Sequence, residues 1–180
     1  MERKDELRDK ALDYCLSHGI AGLSLRPLAL KIGTSARLLI YHFGSRDGLI
    51  VEVMQEAHRR VQRSFGRLMR RADDKASLRT FWDWTTAPAN SSYLRLMFEV
   101  QMLALQNPAS YAHYLESTSS SWLALIETAL PPSADRRARA TLYAAVIDGL
   151  LLEFLATGDR RRTTRALDIF VAATHTRPGA

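Results

Sequence analysis

Apolar side chains recur at spacings of three and four residues along nearly the whole chain, and strand-like alternation bounded by turns is absent. The pattern predicts an all-α protein. A first helix runs from about Lys4 to Ser17, with Leu7, Ala11 and Cys15 on one face, and His18-Gly19 ends it. A second starts at Ser24, a good N-cap residue, and tolerates Pro27 because the proline falls within the first turn. Leu25, Leu28, Ala29 and Ile32 form its inner face until Gly33 breaks it after about two turns. Thr34 or Ser35 can cap a third short helix over 36–43. Two short helices joined by a tight glycine turn make a helix-turn-helix, and the small Ala29 lets them approach closely.

Gly44-Ser45 ends the third helix and opens a long fourth, over about 46–72, with Asp47 in its first turn, where the helix dipole favours an acid. Leu49, Val53, Ala57, Val61, Phe65 and Leu68 give it a continuous stripe. At 1.5 Å per residue it spans roughly 40 Å, enough to bridge two domains. Further helices are expected over about 75–87, 91–106, 109–129, 134–157 and 161–175, with Pro88, Asn107-Pro108, Pro131-Pro132 and Gly158-Asp159 as breaks.

The helix over 134–157 is apolar on all sides. Between Ala138 and Ala156 its charges are Arg139, Asp148 and Glu153. Such a helix must be covered all round, and a second copy of the chain is the economical partner. Tyr143, Ile147, Leu150, Leu151 and Phe154, with Leu167, Phe170 and Val171 of the final helix, are the expected dimer contacts, two helices per subunit forming a four-helix interface. Gly149 would permit a close crossing.

Composition narrows the setting. The chain has 180 residues, 47% of them hydrophobic, so a packed core is expected. The single cysteine, Cys15, excludes an internal disulfide and fits a reducing compartment. The charged stretch MERKDELRDK does not resemble a secretory signal, and Asp148 and Glu153 make LYAAVIDGLLLEFLA a poor membrane span. A cytoplasmic protein with no membrane partner is the expectation. The net charge is +6, and the basic excess sits in residues 1–70, which suits a polyanion at that end.

The stretch SLRPLALKIGTSARLLIYHFGSRDGLIVEV resembles the DNA-binding domain of TetR-family (tetracycline repressor-like) transcriptional regulators. Ala29, Gly33, Ser35, Tyr41, His42, Phe43, Ser45, Arg46 and Leu49 carry the resemblance over about residues 5–55, and VIDGLLLEFLATGD resembles the family's dimerisation helix. Where the family often has Lys, Gly or Pro, Thr and Tyr, this chain has Ala36, Arg37, Leu38 and Ile40. The resemblance implies a DNA-binding domain over 1–50 and a helical ligand-binding and dimerisation domain over 51–180. It implies a dimeric repressor on an inverted-repeat operator of double-stranded DNA, released by a small, largely apolar effector.

In such a protein the third helix enters the major groove. Thr34, Ser35 and Arg37 lie at its N-terminal end, where base contact is easiest, and Tyr41, His42 and Arg46 are expected at phosphates. The other reading of Tyr41 and His42 is that one of them packs beneath the first helix. Ser24, Arg26, Ala36 and Leu38 complete the candidate DNA-binding set. Phe65, Phe81, Trp82, Met97, Phe98, Met102, Tyr114 and Trp122 are candidates to line an apolar cavity, with Thr85, Gln101 and Asp148 as polar handles; a packed core would use the same residues.

The remaining charged positions read more simply. Arg59, Arg63, Arg67 and Arg70 read as a solvated helix face, and Glu99 as a surface ion pair with Arg95. No metal-ligand spacing, phosphate loop or nucleophile motif is present, so no cofactor, no metal and no enzymatic activity are expected. A ligand-independent DNA-binding adaptor, or a small helical enzyme using Asp148 with His113, are the alternatives.

Overall fold

The computed structural model describes residues 3–69 and 78–175, without the side chains of 65, 66, 68, 69, 118, 119, 125, 129 and 175. The described residues form α1 (Arg3–His18), α2 (Leu25–Lys31), α3 (Ala36–Phe43), α4 (Arg46–Met69), α5 (Leu78–Thr85), a 3-10 turn (Pro88–Asn90), α6 (Ser91–Gln106), α7 (Pro108–Ala129), α8 (Arg136–Thr157) and α9 (Arg160–His175), with no strand among them. The all-α expectation is met, with helix ends close to the proline and glycine breaks. The expected side-chain positions of Phe65 and Leu68, residues 70–72 of the fourth helix and 75–77 of the fifth lie outside the described residues.

Contacts group the helices into two compact units. The first holds α1–α4, the 3-10 turn, α6 and the start of α7 to Leu115. This grouping does not divide at residue 50: α6 packs on both α1 and α4. The core of this unit contains Leu7, Leu12, Leu28, Leu39, Leu49, Ile50, Leu96, Val100 and Tyr111, all essentially inaccessible to water. Cys15 is buried among them, and burial, with the nearby Glu99 charge, pushes its thiol up to about 12, which makes it a core residue without nucleophilic character.

The basic stripe on α4 is more than a solvated face. Glu56 is buried, and its carboxylate accepts hydrogen bonds from Arg59 Nε at 2.8 Å, Arg63 Nη2 at 2.9 Å and Arg60 Nε at 3.3 Å. Arg8 of α1 lies 3.8 Å away, and Arg60 reaches back to Asp9 and Asp13, so the cluster ties α1 to α4. Arg67 is exposed, and Arg70 lies outside the described residues.

The second unit holds α5, the rest of α7, α8 and α9. One face of α8, through Ala140, Tyr143, Ile147 and Leu151, is buried, and α8 packs on α9. The Tyr143 hydroxyl lies 2.8 Å from Thr174 Oγ1, and its ring meets Phe170 edge-on at 5.0 Å. This corrects the expected interface: Tyr143, Ile147, Leu151 and Leu167 are buried within the protomer and have no surface to offer a partner. Leu150, Phe154, Phe170 and Val171 are half-buried. The outward stripe of α8 is instead Leu142, Ala145, Gly149, Leu152 and Ala156, all exposed, with Leu142 at 51% and Leu152 at 54%. By length and composition α8 would suffice to cross a membrane, with a mean hydropathy of 1.5. Its Glu153 is paired with Arg162 of α9 at 2.5 Å.

Burial would raise the Glu56 carboxyl, but the hydrogen bonds from Arg59 and Arg60 outweigh it and hold the group below its ordinary value of 4.5. A folded-state value below the unfolded one contributes stability that is present above about pH 4.5 and lost as pH falls through the folded value. Glu56→Gln is expected to destabilise the fold by about 1–3 kcal/mol at neutral pH and to flatten the acid limb of the stability profile, read by urea unfolding across pH. An unchanged acid limb would show that Glu56 does not set it.

Candidate nucleic-acid interface and effector residues

The turn between α2 and α3 is built from local chemistry. Gly33 takes φ +74°, a conformation L side chains avoid, and lets Thr34 N donate to Ala29 O at 2.9 Å. Ser35 caps α3, its hydroxyl accepting from Leu38 N at 3.1 Å. Of the two expected caps, Ser35 makes the bond; the Thr34 hydroxyl is buried and has no partner among the described residues, which removes it from the expected base contacts in this conformation. Ser24 occupies the N-cap position of α2, but its side chain makes no capping bond and is exposed.

Leu39 and Phe43 anchor α3 against the core, which turns the opposite face outward. On that face Arg37 and Tyr41 are exposed, Tyr41 at 79%, with Ile40 beside them, and Ser35 is exposed at the N-cap. Ala36, Leu38 and His42 are half-buried, and His42 meets the Tyr41 ring edge-on at 5.1 Å. Arg26 is exposed on α2, as is Leu30, at 84%. Tyr41 is therefore not packed beneath α1.

Arg46 has an internal task that its position in the sequence did not reveal. Its Nε donates to Leu23 O at 2.7 Å and its Nη1 to Asp47 at 3.2 Å, tying the start of α4 to the segment before α2. Asp47 also accepts the Tyr111 hydroxyl at 2.9 Å; burial first, then this carboxylate, raises the tyrosine's pKa. Glu99, read from the sequence as a surface partner of Arg95, has a second role. Its Oε2 accepts Ile20 N at 2.7 Å, while Arg95 stands 3.7 Å from Oε1 and donates to Leu16 O. Gly19 takes φ +74°, which favours glycine in the turn after α1, and a Cβ there would also lie 2.7 Å from that carboxylate and displace it. Glu99 and Tyr111 were missed because their partners lie 79 and 64 residues away.

The effector candidates divide between the units. In the first, Tyr114 is buried in the core, Met97 and Phe98 are half-buried, and Gln101 and Met102 are exposed. In the second, the Phe81 and Trp122 rings meet at a tilt of 50° with centroids 4.8 Å apart, and Trp84 lies 6.4 Å from Phe81. Trp82 is buried, its indole N–H donating to Thr164 Oγ1 at 2.8 Å, so it is core and not cavity wall. Thr85 is buried with a hydroxyl that has no partner among the described residues. Asp148 is half-buried, and burial raises its carboxyl pKa. No group of three or more metal-ligating side chains occurs among the described residues.

A compact helix-turn-helix with its second helix presenting exposed polar and aromatic groups is the architecture of a DNA-reading module. Residues 7–53 match the family described as bacterial regulatory proteins, tetR family. The chain is 30% identical over 177 residues to the HTH-type transcriptional regulator BetI of Paraburkholderia xenovorans strain LB400, covering 92% of this chain and 88% of that protein. In structure it is similar to a transcriptional regulator from Rhodococcus sp. Rha1, with a TM-score of 0.75 and 20% identity over 96% of this chain and 95% of that one. It is also similar to the multidrug binding protein EbrR, solved in complex with ethidium, with a TM-score of 0.69 and 25% identity over 93% of this chain and 97% of that one. The chain belongs to the tetR family of bacterial regulators: it is a helix-turn-helix transcriptional regulator.

Arg37→Ala is expected to weaken a specific duplex by about 1–3 kcal/mol while leaving scrambled-duplex affinity nearly unchanged, as loss of a guanine-reading fork would do. Titration of both duplexes at one salt concentration checks this. Equal losses on the two would make Arg37 a phosphate contact.

Proposed function

We propose that the protein represses transcription as a homodimer bound to an inverted-repeat operator, and that a small, largely apolar effector releases it. Residues 1–50 read the DNA and residues 51–180 carry the effector site and the dimer contacts, in the cytoplasm where the DNA lies. The carrying observation is the outward face of α3, where Arg37 and Tyr41 stand exposed over a buried Leu39–Phe43 anchor, with the exposed Ser35 at the helix's N-cap. Ser24, Arg26, Ala36, Leu38 and His42 complete the contact surface. Arg46 acts chiefly as the strut that holds α4 to Leu23 O.

The outward stripe of α8 supports the dimer. Leu142, Ala145, Gly149, Leu152 and Ala156 recur at helical spacing, and a Cβ at Gly149 would meet nothing within its own protomer. Small residues there allow two α8 helices to cross closely, with Ile169 of α9, 57% exposed, extending the apolar surface.

The effector reading rests on the Phe81–Trp122–Trp84 cluster and the half-buried Asp148, all of one unit. Clustered aromatic rings with one carboxylate suit a flat, apolar cation. EbrR, similar in fold, binds ethidium. Release follows from differential binding: an effector that prefers the DNA-incompetent arrangement by about 1–3 kcal/mol lowers operator affinity roughly 5–150-fold. Glu99 on α6 and Tyr111 on α7 hold the turn at Ile20 and the start of α4, so movement of either helix would pull on the DNA-reading module. The reading has no enzymatic step.

Selection of bound duplexes from a random pool tests the function. An enriched inverted repeat, released by ethidium in a titration, is the expected result; enrichment without release by any ligand would favour an adaptor that binds DNA alone. Leu152→Arg is expected to give monomers in sedimentation and to lose operator binding; a dimer that persists would refute this interface. Asp148→Asn is expected to weaken ethidium binding about tenfold. In the unmodified protein the same affinity should fall as pH drops towards the raised Asp148 value, because protonation removes the negative charge, and in the Asn variant it should stay flat.

A further inference from the structure

A cleft of about 690 Å³ opens between α5 and the first half of α9, lined by Arg79, Arg160, Arg161, Thr164, Arg165 and Asp168. Four guanidinium groups and one carboxylate make its lining strongly cationic. Two of the arginines are fixed. Asp83 accepts from Arg79 Nε through one oxygen at 3.0 Å and from Arg160 Nη2 through the other at 2.7 Å. Arg79 Nη1 also donates to Asp168 at 2.9 Å, and Arg160 Nε to Thr86 Oγ1 at 2.9 Å. Arg161 and Arg165 sit one turn apart on α9 and form no ion pair among the described residues. Like charges at this spacing repel each other weakly, and an anion held between them would relieve that repulsion.

The polar floor is also set in advance. Thr164 Oγ1 accepts the indole N–H of the buried Trp82 at 2.8 Å, which leaves its own hydroxyl hydrogen to donate. The fixed Arg79, Arg160 and Thr164 lose little on meeting a ligand, and the guanidinium forks of Arg161 and Arg165 match the oxygens of phosphate. The cleft also stands apart from the dimer stripe: Arg161, Arg165 and Asp168 share one side of α9, whereas Ala166, Ile169 and Ala173 share another.

We propose that this α5–α9 cleft is a binding site for a small multivalent anion of the phosphate-ester or polyphosphate type, with Arg161 and Arg165 as its principal contacts and Thr164 as a neutral donor. It rests on its own geometry and not on the effector reading above. The site gives the regulator a second ligand, of charge opposite to that which the aromatic cluster and Asp148 suit.

Isothermal titration of the full-length protein with inorganic pyrophosphate, in phosphate-free buffer at about 0.15 M salt, tests the proposal. One pyrophosphate per protomer is expected. The exposed double substitution Arg161→Gln/Arg165→Gln should weaken it about tenfold or more, and Arg67→Gln on α4 should leave it unchanged. Circular dichroism and thermal melting of the double variant keep a folding defect from being read as lost binding; should it misfold, Thr164→Val is titrated instead, with weakened binding expected. Pyrophosphate that does not bind, or that binds a folded double variant as tightly as the unmodified protein, overturns the site. So does a double variant that loses scrambled-duplex affinity in parallel with pyrophosphate affinity, because the patch would then be a nucleic-acid surface. Operator selection is a separate measurement, so failure here leaves the repressor reading standing.

Discussion

Asp47 joins the segments on which DNA reading depends. It sits in the first turn of α4, where the helix dipole favours an acid, and it accepts from both Arg46 and the Tyr111 hydroxyl. Arg46 in turn holds Leu23 O, at the entrance to α2. One carboxylate thus couples the approach to the helix-turn-helix, the origin of α4 and a buried tyrosine of α7. The Glu99–Ile20 bond does the same for α6 and the turn after α1. A buried or half-buried charge that accepts two or three hydrogen bonds is costly to strip, so these contacts restrict the module to few arrangements.

The Glu56 cluster supplies the second constraint. α4 lies along α1 with an acid buried between them, and four arginines compensate it. The pairing counts less as net stabilisation than as a penalty on separation, since a buried carboxylate without its partners is strongly unfavourable. The position of α3 relative to α1 then follows, because Leu39 and Phe43 pack into the same core as Leu7, Leu12 and Leu49.

In the second unit the division of surfaces is the informative feature. α8 offers one face to α9 and leaves an opposite stripe of small and apolar residues exposed. α9 divides its own circumference among α8, an apolar strip and an arginine-lined cleft. Three kinds of contact thus share one short helix because its 3.6-residue period separates them.

The helices, their breaks and the glycine turn were legible in the sequence because each depends on residues within about four positions, the reach of a helical turn or a cap. So was the family, whose signature lies in one continuous stretch, and so was the apolar character of α8. What the sequence left open was decided at long range. Glu99 looked like a partner of Arg95 because that arginine is four residues away, yet its shorter contact is with Ile20 N. Arg46 looked free for phosphate until Leu23 O took its Nε. Tyr143, Ile147, Leu151 and Leu167 had the composition of an interface, and only packing showed that α8 and α9 of one chain cover them. Periodicity states that a face is apolar; which body covers it depends on where distant segments come to rest.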